Sequence, residues 1–112
     1  MLDDQPGGST GGLVYAITPM VAGGPVTFTV TGAAPSTPVI LGYSLSGAGP
    51  INTAFGIVDM TPPISRFPNL TADAMGVATI TLTVPGNAAG VTLYTQGLNN
   101  GVLTNSLAPT VM

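Results

Sequence analysis

Asp59 and Asp73 are the residues of this chain whose type and separation come closest to a catalytic pair. Two carboxylates can serve as general acid and general base when their surroundings hold them in different protonation states. Their local sequence argues for a plainer use. Asp59 follows a strand-like stretch, and Asp73 opens "DAMG", with Asp first and Gly fourth, as a type I turn favours. The other charged side chains are Asp3, Asp4 and Arg66, and there is no His, Cys, Lys or Glu. Imidazole bases, thiolates and Schiff-base amines are therefore all missing. Zinc loses both of its preferred ligand types, and calcium would find no dense run of carboxylates. No glycine motif ends in Lys or opens a helix as a phosphate cradle requires. The expectation is a chain that is not an enzyme, with no cofactor and no metal site.

Partners are bounded in the same way. Nucleic acid needs several cations to neutralise phosphates, and Arg66 stands alone. No apolar run reaches the roughly 18 to 20 residues of a membrane span. "NLT", Asn69 to Thr71, is a possible glycan acceptor, although a short motif of this kind also arises as a bare loop asparagine. The N-terminus is acidic where a secretory signal would be basic, so a mature or trimmed form, or another export route, is expected.

The elements that position these residues read as strands. The chain has 112 residues, 45% of them hydrophobic and 4% charged, against about 25% charged in an ordinary soluble domain. A chain this long buries about two-thirds of its surface, enough for one core without metal or disulfide. Residues 76–85, "GVATITLTVP", alternate: Ala78, Ile80, Leu82 and Val84 fall on one side, Val77, Thr79, Thr81 and Thr83 on the other. "VTFTVTG" repeats the pattern with Val26, Phe28 and Val30 opposed to Thr27, Thr29 and Thr31. "VILGYSL" is a nearly continuous apolar run suited to a central strand, and a further strand is expected near residues 53–60. "TPPISRFP" carries too many prolines for a central strand. "DAMG" is expected to join a short strand ending near Thr71 to the strand that follows, and "NNG", residues 99–101, is a hairpin signal.

Residues 1–24 read as a Gly-rich leader carrying one short strand, "LVYAIT" (13–18), and residues 25–112 as the sandwich domain. The fold expected is all-β, an Ig-like Greek-key sandwich of seven to eight short antiparallel strands; a small closed barrel is the alternative. "GYSLSGAGP", "TADAMGVATITLTVP", "GVTLYTQGL" and "LTNSLAP", with "PVTFTVTGAAPSTPVILGYSL", resemble Ig-like β-sandwich modules of large secreted and surface proteins of environmental bacteria. The resemblance implies placement outside the cell or on its surface and a non-catalytic role. Met75 departs from it, standing where that turn often has a small or polar residue.

Soluble β-proteins commonly guard edge strands with lysine, and this chain has none. A surface of Thr, Ser, Asn, Gly and Val suits packing against identical copies, because no charge has to be desolvated. The function expected is a structural protein that self-assembles, into a filament or surface fibre. Its assembly strand candidate is Leu13, Val14, Tyr15, Ala16 and Ile17, which either opens the domain's own sheet or is donated to a neighbour. A secreted polysaccharide-binding or adhesion module and a virion decoration or fibre protein are the alternatives.

Overall fold

A computed structural model describes residues 13–112. Among them there is no helix, and hence none long and apolar enough to cross a membrane. Ten strands form: β1 (Val14–Ile17), β2 (Pro25–Thr31), β3 (Pro38–Ser44), β4 (Ile51–Thr53), β5 (Gly56–Val58), β6 (Ser65–Arg66), β7 (Leu70–Thr71), β8 (Ala78–Thr83), β9 (Tyr94–Asn99) and β10 (Val102–Leu103). The number exceeds the expected seven to eight because β6, β7 and β10 are two-residue pieces and the stretch near 53–60 is a hairpin. Thr53 breaks that stretch, its Oγ1 donating to Gly56 O at 2.8 Å and accepting from Phe55 N at 3.1 Å.

The strands form a three-stranded sheet, β1-β2-β8, a larger sheet, β10-β9-β3-β6 with β7 also on β3, and the separate β4-β5 pair. All registered pairs are antiparallel. The two larger sheets share one apolar core: Tyr15, Val26, Phe28, Val30 and Ala78 from the first meet Val39 and Leu41 from the second. This all-β arrangement is compatible with a sandwich. Period-two alternation does the sorting, with the inward positions of β2 buried and Thr79, Thr81 and Thr83 of β8 exposed. The "LVYAIT" strand lies in register on β2 of the same chain, from Val14 opposite Thr31 to Ile17 opposite Phe28. Leu13, Tyr15 and Met20 belong to the same core as residues beyond 25. Residues 1–12 of the leader lie outside the described residues.

The two turn signals behave differently. Asn99 pairs with Val102, leaving Asn100 and Gly101 as a two-residue loop with φ of 50° and 77°, the left-handed pair a type I′ hairpin needs. "DAMG" closes as a turn, with Gly76 N donating to Asp73 O at 3.0 Å. However, β7 pairs with β3 and β8 pairs with β2, so this turn carries the chain from one sheet to the other.

Residues 45–64 make a third layer. Met60 Cε lies 3.3 Å from the Cβ position of Gly42, Asp59 N donates to Gln96 Oε1 at 3.0 Å, and Gly56 approaches Leu103. This cover explains why β3 reads as a continuous apolar run: Leu41, Gly42 and Ser44 are buried from both faces.

Candidate functional site

The two edges of the three-stranded sheet, β1 and β8, are treated differently. On one, Asn105 Nδ2 donates to Tyr15 O at 3.0 Å, and Asn105 Oδ1 accepts from Tyr15 N at 2.9 Å. One side-chain amide thus replaces the next strand's peptide group along β1. The chain beyond it runs beside β9, with Leu107 and Thr95 exchanging backbone bonds of 2.9 Å. Met112 then bridges to Met20 and Ala22, each at 2.9 Å, and closes this edge.

The opposite edge is open. Among the described residues, β8 pairs with β2 alone. Gly23 and Gly24 bond to Val84, whereas Thr27 bonds toward Thr18 on the other side of β2. Bonded positions alternate along an antiparallel ladder, so the backbone groups of Thr79, Thr81 and Thr83 point away from β2. They meet no hydrogen-bond partner among the described residues. β8 contains no charge, no proline and no bulge, the devices that usually blunt an edge.

Beside this edge the sheets part to leave an open apolar cavity of about 380 Å³, lined by Leu45, Phe67, Leu82, Val84, Ala88 and Val91 among others. Phe67 forms its inner wall. Its ring stands between those of Phe28 on β2 and Tyr43 on β3, with centroids 4.8 and 4.5 Å away. Phe67 N donates to Leu41 O at 2.9 Å, which holds the prolyl segment 62–68 against the gap. On the opposite, outward face of β2 and β8, Thr27 Oγ1 and Thr81 Oγ1 lie 2.9 Å apart, and neither strand carries a charged side chain.

The residues with catalytic potential are not brought together. Asp73 Oδ1 accepts from Met75 N at 2.8 Å and Val77 N at 3.0 Å, fixing its own turn. Asp59 Oδ2 accepts from Ser106 Oγ at 2.8 Å on the outer layer. The two carboxylates share no hydrogen-bond partner. Among the described residues, no group of three or more His, Cys, Asp or Glu could hold a metal ion. Asn69 and Arg66 are exposed on the connection leading past Phe67.

Polar groups inside the core serve the fold. The Tyr15 hydroxyl lies 2.9 Å from Thr95 Oγ1, which donates to Gly42 O at 2.6 Å. A carbonyl only accepts, so Thr95's proton is committed and the Tyr15 hydroxyl is the donor. Burial pushes the Tyr15 pKa up to about 12. Asn99 holds the 34–38 corner through Ala34 N, Thr37 Oγ1 and Pro38 O.

Of the assembly strand candidate, Leu13 and Tyr15 point inward, Ile17 is half-buried, and Val14 and Ala16 are exposed on the first sheet. Sequence reasoning did not find the β8 edge as a site, although its signal, a six-residue strand without charge or proline, was present. Nor did it find the groove, whose walls come from six separate stretches of chain. Comparison with protein-family models, with curated proteins and with solved structures finds no match to this chain.

Proposed function

We propose that this chain is a non-catalytic, extracellular structural subunit that self-assembles into a filament or surface fibre. The observation that carries the reading is the open edge of β8 beside an apolar groove. Three threonines present backbone donors and acceptors with no local partner, next to apolar surface that water solvates poorly. An added strand satisfies both at once. The nearly chargeless composition lets another copy approach without desolvating ions.

The same reading takes the fold as an Ig-like Greek key, supported by the pairing of β2 with β8 and β3 with β9 across long stretches of sequence. A non-catalytic role is supported by the separate structural bonds of Asp59 and Asp73. Donation of β1 to a neighbour would exchange the in-chain β1-β2 ladder and the Asn105 bonds for equivalent ones; the β8 edge receives a strand without that exchange. Sugar binding gains no support from aromatics: Tyr43 and Tyr94 face opposite sides of their sheet, and Tyr15 and Phe28 are buried.

Negative-stain electron microscopy and sedimentation velocity of the purified chain across a range of concentrations test the proposal. Regular fibres or sheets are expected. A single monomeric species up to millimolar concentration would overturn it.

A further inference from the structure

We infer that the occupant of the β8 groove is the β4-β5 hairpin of a second copy, in a head-to-tail contact; this rests on the self-assembly reading. The hairpin exposes two large apolar side chains within three residues of each other, Phe55 54% and Ile57 61% accessible. Among the described residues its strands pair only with each other, and an isolated two-stranded pair is marginal without further support. Residues 51–58 carry no charged side chain, and neither does the groove. A charged partner would gain nothing from either surface, whereas each surface suits the other.

The two features lie at opposite ends of the molecule. The groove includes Leu45 and Leu93, next to the Ser44–Tyr94 pair that begins the β3-β9 ladder. From there the outer layer runs back along the sheet. Thr61 sits at Ser44, Asp59 at Gln96, and Gly56 beside Leu103, which pairs with Leu98. The hairpin tip is therefore carried to the far end. A contact between different patches at opposite ends does not close on itself as a two-fold dimer does, and it propagates as a chain.

Area sets how the hairpin must sit. Phe55 and Ile57 together offer on the order of 200 Å², well below the roughly 800 Å² per partner of a stable interface. The hairpin therefore lies along β8, where one of its outer strands pairs with the Thr79, Thr81 and Thr83 backbone while the two side chains enter the groove. This adds strand-pairing area to the apolar contact.

Three full-length proteins test the inference by sedimentation velocity and electron microscopy: wild type, the double variant Phe55→Ser/Ile57→Ser, and Thr81→Lys, which places a charge at the edge. Both variants change exposed side chains, and thermal unfolding confirms that each is folded. Assembly of each variant alone is expected to need at least tenfold more protein than wild type. An equimolar mixture of the two should yield heterodimers and no polymer, because only one intact hairpin and one intact groove remain per pair. Wild-type assembly with an undiminished hairpin variant would overturn this interface while leaving self-assembly standing. A wild type that stays monomeric would overturn both.

Discussion

The side-chain amide of Asn105 forms two hydrogen bonds with the backbone of Tyr15, donating to its carbonyl oxygen and accepting from its N–H. It thereby seals the β1 edge, while the β8 edge has no equivalent among the described residues. Asn105→Ala should lower stability by about 1–3 kcal/mol, because both backbone groups of a core-facing residue lose their partner. Asn105→Asp should cost at least as much, since a carboxylate can accept from Tyr15 N but cannot donate to Tyr15 O. Urea unfolding gives the magnitude, and faster amide exchange at Tyr15 locates it on β1.

Tyr15 makes stability depend on alkaline pH. Its pKa is raised from 10.0 unfolded to about 12 folded, so in this range the folded state holds the proton more tightly. The stabilisation is complete below pH 10 and is lost as pH rises from 10 to about 12, a fall of roughly 2–3 kcal/mol. Tyr15→Phe should remove this group's share of the alkaline decline, at a cost of about 1 kcal/mol at neutral pH for the lost hydrogen bond. Denaturation midpoints at pH 8, 10 and 11 separate the two effects.

Two glycines with nearly the same backbone angle should respond very differently to alanine. Gly76 has φ of +78°, and a Cβ there would meet Ala33 O at 2.2 Å, inside a contact where Ala33 N donates to Gly76 O at 3.0 Å. Gly101 has φ of +77° with nothing within 4 Å of the added carbon. Gly101→Ala should cost about 1 kcal/mol, the conformational penalty alone. Gly76→Ala should cost at least about 3 kcal/mol, because Ala33 must also move and the link between β2 and β8 loosens. Thermal unfolding of the pair gives the difference directly.

Phe67 is the point where the groove and the core meet. Phe67→Ala should destabilise the chain by about 2–3 kcal/mol, below the usual range for a fully buried ring because the residue is half-buried. It should also deepen the groove toward Phe28 and Tyr43, so binding of an apolar fluorescent dye to the folded protein is expected to rise. Unchanged dye binding in a folded variant would mean that Phe67 does not wall the groove.

What could be read locally was read from local physics. The threonine-outward strands β2 and β8 follow from side chains alternating every second residue, and the Asn100–Gly101 hairpin from two residues that tolerate left-handed backbone. The positions of Asp59 and Asp73 outside any shared site accord with their strand-end and turn contexts. Period-two patterning cannot say which strand lies beside which. It did not show that β7 leaves β8 for β3, or that the 53–60 stretch folds back as a hairpin over β3 and β9.

Composition and spacing alone determined an all-β chain with hydroxyl faces, almost no charge and no His, Cys, Lys or Glu. Only the tertiary structure decided that Asn105 closes β1, that Phe67 plugs the gap between the sheets, and that β8 is left open beside a groove. The physical reason is range. Alternation and turn chemistry act between residues a few positions apart, whereas Asn105 and Tyr15 are 90 residues apart and meet only when both sheets have formed.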